Sequence, residues 1–253
     1  MNNRRVRIFI LSVMFIVSLL FYFLGRDHDK EQKIIPPAKE RQMKIAVNET
    51  KTDDSISVEK VMFEENGESS KKIALTFDDG PHPYYTEQLL DGLKERGVKA
   101  TFFVTGEHAE LHPDIIERMC DEGHLIGNHT YSHIQLSSGN REEFKKQIIK
   151  TNEIINEITG KEVMYVRPPY GTWDKKFETE LNMFPVLWTV DPLDWCSSNA
   201  SNITNKVVAK VDENDIILLH DYYESTVTAA LSIVDELEKE GYEFVTVEEI
   251  LFD

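Results

Sequence analysis

Apolar and polar positions divide the chain into three stretches. Residues 8–24 are almost continuously apolar, residues 27–70 are polar with no sustained period, and from Lys71 onward short apolar runs alternate with amphipathic segments. The regular part predicts strands at 72–77, 100–104, 124–127, 163–166, 185–190, 216–219 and 243–245. Apolar spacings of three and four residues between them predict helices at 86–96, 114–122, 142–158, 175–181, 203–211 and 227–240. Alternation of this kind is the pattern of parallel β/α construction, and the stretch is long enough to close on itself. The expected architecture is α/β, a distorted (β/α)7-type barrel over 71–253. An open doubly wound sheet is the rival, but its first strand would end in a glycine-rich phosphate loop, and here it ends in Asp78-Asp79-Gly80-Pro81.

The first two stretches read as an address. Arg4, Arg5 and Arg7 precede the apolar run, and it ends in bulky Phe21-Tyr22-Phe23, leading to Gly25, Arg26 and Asp27, where a leader would need small residues for cleavage. A buried helix would carry a polar stripe, and this run has none. The pattern predicts a single-pass signal anchor at 8–24, a cytoplasmic stub at 1–7, an extracytoplasmic linker at 25–70 with a short strand near 57–63, and the domain outside the cytoplasm. A cleaved leader and a secreted protein form the alternative. Net charge is −17, with no basic footprint, so nucleic acid is excluded as a partner. Cys120 and Cys196 lack a zinc-site spacing and make no disulfide framework, so both are read as free.

Chemistry-bearing residues gather where the predicted strands end. In order these ends carry Asp78-Asp79, His129 to His133, Arg167, Asp191 to Trp195, and His220-Asp221. Enzymes on β/α barrels keep their chemistry at that rim. Each piece alone has a plain explanation: Asp-Asp-Gly suits a turn, His129 and His133 suit a surface pair, Arg167-Pro168-Pro169 a stiff turn, Trp195 the core, and His220 a cap that hydrogen-bonds the strand end. Five such explanations at five strand ends are hard to hold together. Two imidazoles and one carboxylate hold zinc or a similar divalent ion with positions left open, the catalytic pattern. One aspartate of the Asp78-Asp79 pair can then bind metal while its neighbour takes a proton from water, because successive side chains diverge.

Thr76-Phe77-Asp78-Asp79-Gly80, His129-Thr130-Tyr131-Ser132-His133, Arg167-Pro168-Pro169-Tyr170-Gly171, Asp191-Pro192-Leu193-Asp194-Trp195 and Ile217-Leu218-Leu219-His220 resemble the five motifs of the polysaccharide deacetylase family, also called the NodB homology domain or carbohydrate esterase family 4. The resemblance runs from Lys71 to the C-terminus, and Ile217, where the family often has leucine, is its one small departure. It implies Asp78 as general base, and Asp79, His129 and His133 as ligands of a divalent metal, zinc first, with cobalt, nickel or manganese as alternatives. It implies that Arg167 ion-pairs with Asp78, that the backbone N–H of Tyr170 stabilises the oxyanion, that His220 is the general acid, and that Asp194 holds His220. Trp195 and Leu219 would shape an apolar pocket, with Leu219 near the acetyl methyl. His82, His108, His112 and His124 match no family role and are expected at the surface or in packing.

The implied reaction is hydrolysis of N-acetyl groups on a glycan. With the anchor, the expected partner is the cell wall, N-acetylglucosamine of peptidoglycan first. N-acetylmuramic acid, poly-N-acetylglucosamine, chitooligosaccharides and O-acetyl xylan are alternatives of the same chemistry. A catalytically dead glycan-binding domain is the reading from another class, and the intact set Asp78, Asp79, His129, His133 and His220 disfavours it. Asn128-His129-Thr130 is formally a glycosylation sequon, but a glycan there would obstruct the metal site.

Overall fold

A computed structural model describes residues 71–252. The expected anchor, the linker and the short strand near 57–63 lie outside the described residues. Among the described residues, no helix is long and apolar enough to cross a membrane.

Seven strands form one parallel sheet: β1 (Lys71–Asp78), β2 (Thr101–Val104), β3 (Leu125–Asn128), β4 (Tyr165–Val166), β5 (Phe184–Pro185), β6 (Ile216–His220) and β7 (Tyr242–Phe244). The order is β5-β4-β3-β2-β1-β6, with β7 on the first half of β1. The expected strand over 185–190 is broken. Only Phe184–Pro185 pairs regularly, after which Val186 N–H still reaches Val166 O at 2.8 Å, while Thr189 N–H reaches Ile216 O at 2.9 Å and Val190 O accepts from Leu218 N–H at 2.9 Å. One irregular segment therefore touches β4 at its start and β6 at its end, closing a distorted barrel. The break has a cause: Arg167 donates from Nε to Val186 O at 3.1 Å and from Nη2 to Leu187 O at 3.3 Å, taking carbonyls that a regular ladder would use.

The helices are α1 (Tyr85–Arg96), α2 (Gly106–Leu111), α3 (Pro113–Asp121), α4 (Arg141–Thr159), α5 (Lys176–Leu181), α6 (Ala200–Val208), α7 (Glu224–Leu237) and α8 (Val247–Phe252). The short helices α2 and α8 are not revealed by the sequence pattern. Helix α6 starts ahead of the expected 203 because the Asn199 side chain accepts the Asn202 N–H at 3.0 Å, an N-cap. The expected helix at 227–240 is α7 followed by a 3₁₀ turn, Glu238–Glu240.

Period-two alternation sorts each strand between two environments. Ile73, Leu75 and Phe77 of β1, Phe102 and Val104 of β2, and Ile217 and Leu219 of β6 pack outward, in one cluster with Leu89, Leu90 and Leu93 of α1 and Ile233 and Val234 of α7. Each such side chain fully buried contributes about 1.5–3 kcal/mol. The other parity of the same strands is layered. Ala74, Tyr165, Val186, Ile216 and Val247 form an apolar plug together with Phe103, the register partner of Asp78 on β2. Above Ala74 and Ile216 lie Thr76 and Leu218, register partners, and at the top Asp78 and His220, register partners again. The core thus ends where the strands end, and the two most reactive groups of β1 and β6 are left side by side on its upper surface.

Candidate active site

Asp78 is 3% exposed. Its Oδ1 accepts from Arg167 Nη1 at 2.8 Å, and the same Nη1 reaches Thr76 Oγ1 at 2.5 Å. Thr76 in turn donates to Ile217 O at 2.7 Å. Arg167 has no solvent exposure, and its guanidinium lies over the Phe103 ring at 4.2 Å. A buried guanidinium is costly unless paired; here a carboxylate, a hydroxyl and two carbonyls pair it, and the predicted Asp78–Arg167 ion pair is present.

Asp79, His129 and His133 meet at one point. Asp79 Oδ1 lies 3.4 Å from His129 Nε2 and 3.3 Å from His133 Nε2, and the three ligand atoms lie within 4.8 Å of one another. His129 Nδ1 is 2.6 Å from Arg167 O. A carbonyl only accepts, so Nδ1 carries the proton and the Nε2 lone pair faces Asp79. Asp79 Oδ1 is buried without a hydrogen-bond partner in the protein. Burial pushes the Asp79 carboxyl up, but the imidazoles of His129, His133 and His220 outweigh it and hold the group at about 2. An ionised carboxylate oxygen drawn to positive charge, with two imidazole nitrogens beside it, fits a divalent cation.

His220 lines the same cavity. Its Nδ1 donates to Asp194 Oδ1 at 2.9 Å and its backbone N–H to Asp194 Oδ2 at 2.8 Å, while Thr226 Oγ1 donates to the same Oδ2 at 2.8 Å. Burial lowers the pKa of His220, yet Asp194, then Asp78 and Asp79, raise it to about 9. The cavity, about 360 Å³, is lined by Asp78, Asp79, His129, His133, Tyr170, Trp195 and His220, all predicted from the sequence. Arg167 and Asp194 stand behind it, each fixing a lining residue.

Leu219 is a correction. It has no exposure and packs in the outer core, whereas Leu218 lines the cavity. His220 faces the site, so the residue two before it shares that face and the residue one before it cannot. Trp188 and Tyr223 also line the cavity and were not anticipated. Asp191 lines it too, and its Oδ1 accepts the Leu193 N–H at 2.7 Å, which stabilises the turn.

His108 is a second correction. Its Nδ1 lies 2.7 Å from Asp79 O, so it donates to the backbone of a candidate ligand. It sits on the unanticipated α2, whose first N–H groups, Gly106 and Glu107, donate to Thr130 O and Tyr131 O at 2.9 and 3.0 Å. One short helix thus supports both Asp79 and the His129–His133 loop. The other histidines lie outside the cavity lining: His124 is buried and accepts the Ala100 N–H at 3.1 Å, His82 accepts the N–H groups of Tyr84 and Tyr85 at the start of α1, and His112 lies between α2 and α3. Support is needed because the rim is strained. Asp79, Thr130, His133, Tyr170 and Leu193 all have positive φ, between 54° and 74°. Such conformations cost about 1–3 kcal/mol each in non-glycine residues and cluster at functional sites. Gly80 is forced for a different reason: a Cβ there would lie 2.3 Å from both carboxylate oxygens of buried Asp221. Asn128, of the sequon, has no exposure and donates to Ile148 O and Asn152 Oδ1. Cys120 and Cys196 are free thiols.

A parallel α/β sheet closing into a distorted barrel, with an Asp-His-His cluster beside a carboxylate–arginine pair at its strand ends, has the groups to hold a divalent cation and carry out hydrolysis. The family described as polysaccharide deacetylase matches residues 65–186. A peptidoglycan-N-acetylglucosamine deacetylase of Bacillus cereus is 40% identical over 235 residues, covering 90% of this chain and 85% of its own. The peptidoglycan-N-acetylmuramic acid deacetylase PdaC of Bacillus subtilis is 41% identical over 182 residues, 72% of this chain, which spans only 39% of that longer protein. The PdaC structure superposes with a TM-score of 0.69 at 40% identity, over 72% of this chain and 91% of that one. A family 4 acetyl xylan esterase from Clostridium thermocellum, in complex with cobalt, gives 0.67 at 34% identity, over 72% and 90%. The chain belongs to the polysaccharide deacetylase family.

Proposed function

We propose that this protein hydrolyses N-acetyl groups of N-acetylglucosamine in peptidoglycan, releasing acetate and leaving a free amine. The observation that carries the reading is the convergence of three pairings on one cavity: Asp78 with Arg167, Asp79 with His129 and His133, and His220 with Asp194. The choice of polymer is supported by the Bacillus cereus relative, matched over most of both chains.

A divalent ion held by Asp79, His129 and His133 would supply Lewis acidity toward water and the amide carbonyl. Asp78, oriented by Arg167, accepts a proton from the attacking water. Its register partner His220, kept protonated by Asp194, donates a proton from Nε2 to the amide nitrogen as the C–N bond breaks. Water oxygen thus ends in acetate, and the amine leaves protonated. Tyr170, 66% exposed at φ 59°, brings its backbone N–H to the rim as an oxyanion donor, while Trp195, Trp188 and Leu218 wall the pocket for the acetyl group. Zinc is the first choice of ion, and the cobalt-bound relative supports cobalt as a working substitute. The same reading has residues 8–24 anchor the domain outside the cytoplasm, which protease treatment of intact cells tests directly.

N-acetylmuramic acid is the second reading, supported by the similarity to PdaC. One experiment separates the two. The full-length protein, stripped of metal and reloaded with zinc or cobalt, is incubated with purified peptidoglycan and with chitooligosaccharides. Acetate is assayed, and muropeptides are sequenced by mass spectrometry. Metal-dependent loss of acetyl from glucosamine supports the proposal; loss from muramic acid alone selects the second reading, and no acetate from any glycan despite bound metal overturns both.

A further inference from the structure

Asp221 directly follows His220 at the end of β6 and does not line the catalytic cavity. It is 1% exposed. Its Oδ2 accepts from Thr86 Oγ1, while Oδ1 has no hydrogen-bond partner in the protein. Thr86 Oγ1 also accepts the His82 N–H at 2.7 Å, which leaves the hydroxyl proton to Asp221. Burial pushes the Asp221 carboxyl up to about 7 against the pull of Thr86. A buried carboxyl so poorly supplied with donors is costly, and an apolar side chain would pack the same place more cheaply.

What this carboxyl touches is Gly80. A Cβ at residue 80 would lie 2.3 Å from both carboxylate oxygens and 2.6 Å from the carbon between them, and these are the three nearest atoms to it. Gly80 has no positive φ, unlike Gly97 or Gly171, so its backbone would accept alanine. The Asp221 carboxyl therefore occupies the volume that a side chain at 80 would need. It cannot swing aside, being buried and tied to Thr86 in the first turn of α1. On the other side Gly80 O accepts the Thr105 N–H at 3.1 Å, just past the end of β2.

The turn leaving β1 is thus pressed between the end of β6 and the segment after β2. Asp79 stands immediately before Gly80, and His220 immediately before Asp221. We propose that Asp221 is a positioning residue for the reaction, a wedge that fixes the Asp79-Gly80 turn against the end of β6 and so sets the cation ligands at their distance from His220. The roles of acid and ligand rest on the deacetylase reading; the wedge is a matter of shape, a carboxyl at 221 and a side chain at 80 competing for one volume.

The test is a double-mutant cycle in the full-length protein, with Gly80→Ala, Asp221→Ala, the two combined, and Asp221→Asn. Acetate release from chitotetraose, the visible spectrum of the cobalt-loaded protein and the melting temperature are measured for each. Gly80→Ala should lower kcat about 10²-fold with KM nearly unchanged, the scale of a displacement of about 1 Å, and should shift the cobalt spectrum. Asp221→Ala should lower kcat about tenfold, and Asp221→Asn, which keeps the shape and the acceptor for Thr86, should recover most of that loss. The combined variant should regain about tenfold over Gly80→Ala and return the spectrum toward that of the wild type. Losses that simply multiply in the combined variant, an unshifted cobalt spectrum in Gly80→Ala, or equal losses in Asp221→Asn and Asp221→Ala overturn the wedge. If Gly80→Ala does not fold, a folded combined variant supports the wedge and an unfolded one overturns it. If even the wild type releases no acetate, yet spectrum and melting temperature still couple the two positions, the wedge stands and the deacetylase reading fails.

Discussion

At Asp194 the carboxylate accepts three donors, two from His220 and one from Thr226, all at 2.8–2.9 Å. At Asp79 the carboxylate meets two imidazoles at 3.3 and 3.4 Å, and its buried Oδ1 has no hydrogen-bond partner. The residue types are the same and the wiring is opposite. Asp194 is saturated, and its charge is spent on keeping a proton on His220, whose pKa rises to about 9. Asp79 is unsaturated, and burial lowers the pKa of His133 while nearby carboxylates only partly offset it. Saturation by donors makes a proton site, and an ionised oxygen between two imidazole nitrogens makes a cation site. The difference between an acid and a ligand set is therefore a matter of whether donors saturate the carboxylate.

The largest effects break the cation side. Asp79→Asn and His129→Ala should abolish both metal retention, measured by elemental analysis after dialysis, and acetate release. Asp78→Asn should retain metal and lose activity by about 10²–10⁴-fold, the range for removing a general base. Metal loss in Asp78→Asn with retention in Asp79→Asn would exchange the two roles.

The proton side is probed by Asp194→Asn. Activity should again fall by about 10²–10⁴-fold, and the pH profile should change with it. Wild-type His220 is protonated below about 9, so kcat should decline only as pH rises through that region. In the variant the decline should begin at lower pH. Stability follows the same sign. The folded pKa exceeds the reference 6.5, so the Asp194–His220 contribution is complete below 6.5 and is lost as pH climbs through about 9. A melting-temperature gap between wild type and variant that stays constant from pH 6 to about 10 would contradict this wiring.

Much of this contrast was legible in the chain. An apolar run ending in Asp78-Asp79, and another ending in His220, place charge at strand ends whatever the details, because an inner core has no use for it. What escaped depended on residues far away in sequence. The segment 184–190 looks like a strand, and only Arg167, buried behind it, turns its carbonyls inward. Helix α2 was not among the predicted elements, so His108 carried no signal beyond its own presence. Its link to Asp79 O sharpens the comparison by asking how far the cation site relies on support beyond its ligands. His108→Phe should weaken metal affinity by about 10-fold, the lower end for losing an outer hydrogen bond, and His108→Asn, which keeps a donor, should recover most of it. Equal losses in the two variants would reduce His108 to packing.

The smallest effect on catalysis concerns two adjacent leucines of β6, and it asks whether parity alone decides which one serves the site. Leu218 lines the cavity with His220 two residues on, while Leu219 lies in the outer core with no exposure. Leu219→Ala should cost about 2–5 kcal/mol of stability, the range for truncating a buried leucine, and leave KM nearly unchanged in the folded fraction. Leu218→Ala removes apolar wall from the pocket that the acetyl group enters, so KM should rise about fivefold to tenfold with a smaller loss of stability. Denaturant unfolding and steady-state kinetics on the same two proteins distinguish the outcomes. If Leu219→Ala instead raised KM while Leu218→Ala only destabilised, the inward parity of β6 would be reversed. His220 could not then face Asp78 as its register partner, and the proton side of the comparison would fall with it.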